Sequence, residues 1–318
     1  MVWENWELKQ KQFQAGLDAD QVEREAIRTG TTSIEFGTED ERTSGAVDDA
    51  LESEGNSWEE RQNVLENLSG AVADEVHRRA TIMGPSYPFT VTGGALEYAA
   101  SQTGVYEFCL AASANPTGVF EGQPKASAVF EYIARDVIAV HIGGGEGFRT
   151  GAPVYPSENR GKTTRETFAA LNVLCGEFNW QPTAGFPTEP QHKDLKDAGL
   201  DVVVWKPWPD QRRGHLFVLG QCACGKSDIG GKARDLSLNR LGNWLRPVTH
   251  AQPVRAFLAA HHIPNSIQLY EISGEGGIVF DRARITIIAQ SSPAFMSRAG
   301  TPNYHQLAKL YLDQVATG

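Results

Sequence analysis

The sequence predicts an α/β protein with a small mixed central β-sheet flanked by helices, preceded by a helical N-terminal region. Three observations lead to this fold class. Two short apolar runs, 200–205 and 216–219, enclose a polar turn rich in Pro, Asp, Arg and Gly, which predicts two adjacent strands, a hairpin. Segments with helical spacing of apolar residues precede the hairpin, and shorter mixed segments follow it. The 318 residues are enough for one large domain or two ordinary ones, with a real core.

The first part of the chain is predicted to be helical and acidic. Residues 3–28 have weak helical periodicity and no proline, which predicts one or two surface helices. Residues 29–56 hold few large apolar groups, which predicts a loop, a linker or a partly disordered arm. Such an acidic segment is most simply a solvated one, and mimicry of DNA or cover for a basic groove is the alternative. Ser57 as N-cap, followed by acids, predicts a helix from about 58 to 82.

The middle of the chain holds the clearest amphipathic helix, over residues 125–140, with Glu131 among its acids. The triple glycine 143–145 after it is interpreted as a helix C-cap that opens a flexible loop, because a lone triple glycine is a weak phosphate-loop signal. A buried helix is predicted over 105–112, and another helix over 164–178.

The chain after the hairpin is predicted to alternate short helices and strands. The predicted elements are a loop through Gly230-Gly231, a short helix around 236–245, a helix over 254–261, strands over 266–272 and 278–289, and a C-terminal helix over 304–315. Asp281, Arg282 and Arg284 are predicted to form an ion pair at the entry to the last strand, with contacts to a DNA backbone as the alternative.

Composition and charge narrow the class of protein. No apolar run approaches the ~20 residues of a membrane span, and the N-terminus lacks the apolar region of a signal peptide, so we expect a cytoplasmic protein. The four cysteines have no framework spacing and are expected to be free thiols. The net charge of −10 argues against a general nucleic-acid binder. Residues 193–255 nevertheless hold 11 Lys and Arg against 6 Asp and Glu, as a phosphate-contacting surface would.

Two chemical interpretations compete for the stretch that ends the hairpin. Gly220 to Ser227 (GQCACGKS) fits the P-loop pattern, in which Lys226 would neutralise a phosphate and Ser227 would bind Mg²⁺. That pattern requires a helix that begins at the Lys-Ser pair, because the helix N-terminus supplies much of the anion-binding field. Gly230 and Gly231 follow instead, at a cost of about 1 kcal/mol each relative to Ala. A P-loop-type NTPase is therefore the alternative function.

The preferred interpretation is hydrolysis of a phosphodiester bond. This reaction needs a carboxylate that holds Mg²⁺, further oxygen ligands, and a cation that orients or activates the attacking water. Asp201 at the start of one strand and Gln221 and Lys226 at the end of its neighbour would converge if the strands pair. Glu131, on the preceding helix, would add a further metal ligand. The predicted site is thus Asp201, Gln221, Lys226 and Glu131, with Asp201, Gln221 and Glu131 as ligands of Mg²⁺ or Mn²⁺.

These residues resemble the PD-(D/E)xK restriction-endonuclease-like superfamily. The matching elements are Glu131 on the preceding helix, residues 196–201 (KDAGLD) as a GDGGID-like element, and residues 220–222 (GQC) as in Q-x-K variants. The resemblance covers roughly residues 120–290, and only 197–226 match sharply. It divides the chain into a helical and acidic N-terminal arm that is partly flexible (1–56), a helical part packed on the core (57–122), a nuclease-like core (123–292) and a C-terminal helix (293–318).

One departure from the motif concerns the lysine. A Q-x-K motif places its lysine two residues after Gln221, where this chain has Ala223. Lys226 would have to reach back, and Lys232 is the fallback. If neither lysine ammonium reaches the metal, the fold is intact but the site is catalytically inactive. A non-catalytic subunit that binds nucleic acid or a partner is therefore a second alternative.

Function and partners follow as expectations from the resemblance. We expect a Mg²⁺-dependent endonuclease that acts on DNA, as the effector of a bacterial restriction or anti-phage defence system. The basic segment 193–255 would contact the DNA backbone. A protein partner or a homo-oligomer would supply activation or specificity, and no membrane is involved. Cys222 and Cys224 are interpreted as two small residues against one layer of the core rather than as zinc ligands, because no finger-like histidine spacing accompanies them.

Overall fold

The computed structural model describes residues 2–34, 58–119, 123–150, 163–175, 178–183, 198–225, 229–297 and 303–317. The described part of the chain is a mixed α/β protein, as predicted. Its strands are β1 (Thr31–Ser33), β2 (Phe89–Thr92), β3 (Ala95–Tyr98), β4 (Glu146–Arg149), β5 (Trp180–Pro182), β6 (Val202–Lys206), β7 (Leu216–Ala223), β8 (Leu245–Pro247), β9 (Val254–Ala259) and β10 (Ile278–Phe280). Its helices are α1 (Val2–Thr29), α2 (Trp58–Met83), α3 (Val105–Ala114), α4 (Ala126–His141), α5 (Thr164–Leu174), α6 (Ile229–Asp235), α7 (Leu238–Leu241), α8 (Ser266–Gly276), α9 (Arg282–Ser291), α10 (Pro293–Met296) and α11 (Tyr304–Thr317).

The central sheet has five strands in the order β10-β9-β7-β6-β4. β4, β6 and β7 form an antiparallel meander, and β9 and β10 join it in parallel, each after a connection that contains a helix. The end of β4, the start of β6 and the end of β7 therefore lie at the same end of the sheet. This topology gathers side chains from three strands at one place.

Both faces of this sheet are buried, which explains its nearly continuous apolar strands. Val202, Val204 and Val218 face one core, which α3, α4, α9 and α11 complete. Val203, Trp205 and Phe217 face the opposite core, which α5, α7 and the small β5-β8 sheet complete. The central hairpin, predicted from runs of just these residues, is confirmed as β6 and β7.

The N-terminal helices are joined to the rest of the protein by buried charges as well as by an apolar core. Asp20 on α1 accepts hydrogen bonds from Arg282 Nη1 and Nη2, each 2.9 Å long, and from Arg79 Nη1 at 2.8 Å. Glu23, which is fully buried, accepts from the hydroxyls of Tyr87 and Tyr106 at 2.5 and 2.7 Å. The prediction that Arg282 pairs with acids is confirmed.

Several predicted helices are confirmed. The helix predicted from about 58 to 82 is α2, that over 105–112 is α3, and that over 125–140 is α4. The C-terminal helix over 304–315 is α11. The glycines 143–145 end α4 as predicted, since the N–H groups of Gly144 and Gly145 both donate to the Ala139 carbonyl.

Three assignments in the last third of the core are wrong. Residues 254–261, predicted as a helix, contain strand β9. Residues 266–272, predicted as a strand, belong to α8, which the Asn265 side chain caps by accepting from the Ile267 and Gln268 N–H groups. Of the strand predicted over 278–289, only the first three residues form β10; Asp281 then caps α9. A strand that is buried on both faces lacks the alternation of apolar and polar residues that distinguishes a strand from a helix. The side chains of Asn265 and Asp281 cap the N-termini of α8 and α9 and so favour helices there.

Smaller corrections concern glycine-rich segments and helix ends. Gly230 and Gly231, predicted as loop, lie in α6. Residues 146–149, placed in a flexible loop, form the edge strand β4, whose pairing with β6 supplies the hydrogen bonds. α5 ends at Leu174 rather than at 178, and the helix predicted around 236–245 is limited to α7. Thr31–Ser33 form β1, and the disorder predicted for the rest of 29–56 concerns residues outside the described part.

Among the described residues, no helix is both long enough and apolar enough to cross a bilayer.

Candidate functional site at one end of the sheet

Asp201 lies across from the Gly220–Cys222 segment of the neighbouring strand, which contains Gln221. Its N–H donates to the Gly220 carbonyl at 2.9 Å, and its Oδ2 accepts from the Cys222 N–H at 2.7 Å. The side chain thus takes the place of a backbone acceptor where β6 begins and β7 continues. The predicted juxtaposition of Asp201 with the Gln221 segment is observed, but Gln221 lies inside β7 rather than beyond its end.

The turn before Asp201 explains why the chain can approach β7 so closely. Ala198 and Gly199 both adopt positive φ, at 52° and 75°. A Cβ atom on Gly199 would lie 2.5 Å from Gln221 Oε1 and 2.5 Å from the carbonyl carbon of Asp235. Only glycine fits this backbone conformation in this space. The glycine before Asp201 therefore serves to bring the Gln221 amide against the turn.

Gln221 has an unpaired oxygen in a buried position. Its side chain is 5% exposed, and no described residue donates a hydrogen bond to its Oε1. An unsatisfied buried acceptor costs about 1–3 kcal/mol. Such a group calls for an explanation, and an ion or a water is one of the standard ones.

Glu131 is held by a cation that the sequence analysis did not identify. Its Oε2 forms an ion pair with Nε of Arg149, the last residue of β4. The two side chains are only 18% and 11% exposed. The Arg149 guanidinium also lies 5.7 Å from the centre of the Tyr132 ring. The signal available in the sequence was weak, because residues 146–149 (EGFR) follow three glycines and precede a further polar stretch.

The two cysteines of the site are poor nucleophiles. Burial raises the pKa of the Cys222 thiol well above its usual value, the charges of Asp201 and Glu131 raise this pKa further, and Arg149 opposes them. The pKa of Cys224 is raised in the same direction, first by burial. Both side chains pack against the core on the α4 side of the sheet, as predicted. Since the thiolate is the reactive form, neither group is suited to covalent catalysis.

Of the two candidate lysines, only Lys232 belongs to the described part of the chain. Lys226 lies outside the described residues, together with Ser227 and Asp228, so its role stays a prediction. Lys232 lies on α6, where its Nζ is 3.4 Å from Asp235 Oδ2 and its side chain is half exposed. Lys232 is thus part of a surface ion pair.

The P-loop interpretation does not agree with the backbone. Residues 220–223, half of the pattern, pair with β9 in a regular parallel ladder, and Gly220 also pairs with Val202 of β6. A phosphate loop needs these N–H groups to turn toward the anion. Helix α6 does exist, contrary to the expected glycine break, but it begins only at Ile229.

The oxygen donors at this end of the sheet fit a hard divalent cation. No group of three His, Cys, Asp or Glu residues that could hold a metal occurs in the described ranges. Mg²⁺, however, commonly takes one or two carboxylates and completes its shell with water and substrate phosphates. The Asp201 carboxylate and the buried, unpaired Gln221 oxygen are the candidate donors for such a set. Glu131 does not join them, because α4 packs on the face of the sheet that Cys222 faces, and the Gln221 side chain points to the opposite face.

The basic segment is only partly available for phosphate contacts. Arg212 and Arg213 are exposed on the turn of the β6–β7 hairpin, where the Arg212 Nε lies 3.7 Å from Asp210 Oδ2 in a solvent-exposed ion pair. Lys232 and Arg234 on α6 likewise pair with Asp235 and Glu275.

Comparison with protein-family models, with curated proteins and with solved structures finds no match to this chain.

Proposed function

We propose that the protein is a metal-dependent endonuclease that hydrolyses phosphodiester bonds in DNA. The observation that carries this proposal is the hydrogen bond that holds the Asp201 carboxylate against the Gln221 segment, whose buried amide oxygen no described group satisfies. Mg²⁺ sites that act on phosphates commonly take one or two protein carboxylates, so Asp201 would be the anionic ligand and Gln221 a neutral oxygen donor. The mixed sheet flanked by helices also agrees with the architecture that the PD-(D/E)xK resemblance implies.

In this proposal each side chain has a separate task. Asp201 and Gln221 would hold Mg²⁺ or Mn²⁺, and the ion would supply a polarised phosphate and a more acidic water. The hydrogen bond from the Cys222 N–H fixes the Asp201 carboxylate, so the ligand is preorganised before the ion arrives. The Gly199 turn keeps the Gln221 oxygen enclosed. Lys226 remains the proposed cation of the motif. Glu131, expected from the sequence to be a third oxygen donor, is paired with Arg149 on the opposite face of the sheet from the Gln221 side chain and is not assigned to the ion.

The substrate and the biological setting are proposed together with this function. The exposed arginines of the hairpin favour a nucleic-acid backbone as the partner. DNA, a role in restriction or anti-phage defence, and activation by a protein partner or by a second copy of the chain complete the proposal.

A non-catalytic subunit that binds nucleic acid or a partner is the second candidate. Two observations favour it: Ala223 replaces the motif lysine, and Glu131 is neutralised by Arg149. This candidate shares the fold and the DNA-binding surface with the first. It differs only in predicting no hydrolysis.

The test compares plasmid cleavage by the full chain and two site variants in the presence of Mg²⁺ or Mn²⁺. Asp201→Asn and Gln221→Leu should lower the cleavage rate by on the order of 100-fold or more. Binding of Mn²⁺, followed by calorimetry, should weaken in both. Glu97→Gln, an exposed acid on β3 away from the site, is the matched control and should leave rate and affinity unchanged. Cleavage that persists in Asp201→Asn contradicts the site, whereas DNA binding without cleavage in the unaltered chain selects the non-catalytic candidate.

A further inference from the structure

Arg149 is a cation that no motif in the sequence identified, yet it lies at the candidate site. It ends β4, and its register partner is Val202, the residue that follows Asp201. The next residue, Thr150, donates its N–H to the Asp201 carbonyl at 2.7 Å. Arg149 and Asp201 are therefore on hydrogen-bonded neighbouring strands at the same end of the sheet.

Two acids lie near Arg149. Glu131 on α4 forms an ion pair with its Nε, and Asp201 begins the neighbouring strand, to which the β4 end is hydrogen-bonded. Arg149 is thus the positive member of a group with two negative ones. A phosphodiester that approaches Asp201 would add a further negative charge to this group, and a cation there would offset it.

We infer that Arg149 contacts the scissile phosphate and supplies the positive charge that the motif lacks at Ala223. This inference rests on the proposed nuclease function and adds a residue to the same site. A guanidinium has five N–H donors in a planar fork, so it can bind a carboxylate and a phosphate together. Glu131 is then a positioning residue, because its ion pair and the ring of Tyr132 fix the guanidinium in place.

The reach of the side chain agrees with this role. Arg149 is not sealed in the core, since 11% of its side chain is exposed. It belongs to an edge strand, so no further strand covers it on the side away from β6 in the described sheet. A backbone phosphate therefore has a route to the guanidinium that it lacks to a core arginine such as Arg282, which is fully buried.

The test uses a readout that does not depend on turnover. Binding of a short DNA duplex is measured without divalent metal by fluorescence anisotropy over a range of NaCl concentrations. Each phosphate contact contributes about 0.9 to the slope of log K against log salt. Arg149→Met should lower that slope by about one contact, and single-turnover cleavage by on the order of 100-fold. Arg149→Lys should keep most of the slope but lose part of the rate, because a point charge replaces a fork.

Arg135→Met is the matched control. Arg135 lies 5.2 Å from the same Tyr132 ring and pairs with Asp136, so its removal perturbs the same helix without removing Arg149. It should leave slope and rate unchanged. If Arg149→Met fails to fold, the neutral double variant Glu131→Gln/Arg149→Gln avoids a stranded acid and should show the same loss of slope.

The outcomes separate this inference from the function on which it rests. A folded Arg149→Met protein with unaltered slope and rate overturns the inference and leaves the nuclease in place. If the unaltered chain shows no cleavage, the salt slope alone decides: a loss of about one contact supports Arg149 as a phosphate ligand on a non-catalytic protein. An unchanged slope in that case overturns both.

Discussion

The buried ion network between α1, α2 and α9 allows a direct test of what joins the N-terminal helices to the core. Arg282 is fully buried, and its Nε donates to the Ala260 carbonyl at 3.0 Å while its two Nη groups hold Asp20. Arg282→Met keeps much of the side-chain volume and removes all of these donors. We expect it to destabilise the folded protein strongly.

The magnitude follows from what the substitution leaves behind. Removal of one partner from a buried ion pair costs about 3–5 kcal/mol, because the other charge stays buried. Here Asp20 keeps its hydrogen bond from Arg79, so the lower end of that range, about 3 kcal/mol, applies. This is a large part of the ~5–15 kcal/mol by which proteins are usually stable.

The measurement is urea-induced unfolding, followed by tryptophan fluorescence and by circular dichroism. Arg240→Met, an exposed arginine on α7, is the control and should change the free energy of unfolding by no more than about 0.5 kcal/mol. Arg282→Lys, which keeps the charge without the fork, should lie between the two. A loss in Arg282→Met below about 1 kcal/mol would refute the reasoning.

Three further predictions concern acid, backbone and thiols. Burial alone would raise the pKa values of Glu75 and Asp281, but Arg79 and His262 hold the pKa of Glu75 below its ordinary value, and His262 does the same for Asp281. The stability that these two acids add is present above about pH 4.5 and is lost as the pH falls through their folded-state pKa values. Urea midpoints should therefore drop in acid, and the drop should be smaller in His262→Gln. Gly199→Ala should cost about 1–3 kcal/mol in urea unfolding, whereas Gly230→Ala, in open helical space, should be neutral or stabilising. Burial raises the pKa of Cys175 to about 11, and the other three thiols are shifted likewise, so an aromatic disulfide reagent at about pH 8 should label none rapidly before unfolding.

The sequence was informative wherever the pattern was local. The β6–β7 hairpin and α4 could be predicted because their apolar residues are contiguous or regularly spaced. The opposition of Asp201 and Gln221 followed from the hairpin alone, since antiparallel pairing fixes which residues meet. No longer-range information was needed for these two residues.

The remaining features depend on contacts between distant residues. β9 is buried on both faces by helices, so its sequence has no alternation to distinguish it from a helix. Arg149 meets Glu131 only because the chain turns after α4 and β4 runs back along that helix. The glycine-rich segment contains no pattern from which this turn could be predicted. Arg282 was expected to pair with an acid, but its partner Asp20 is 262 positions away.

That separation has a consequence for the newly made chain. At about 5–20 residues per second, synthesis needs roughly 13–50 s between Asp20 and Arg282. During this interval Asp20 and Glu23 lack one of the guanidiniums that compensate their burial in the folded protein. The Asp201 and Gln221 strands are translated before that moment, and β9, which flanks Gln221, is translated only shortly before it. β9, which flanks Gln221, and Arg282, which holds Asp20 of α1, are therefore synthesised almost at the same time.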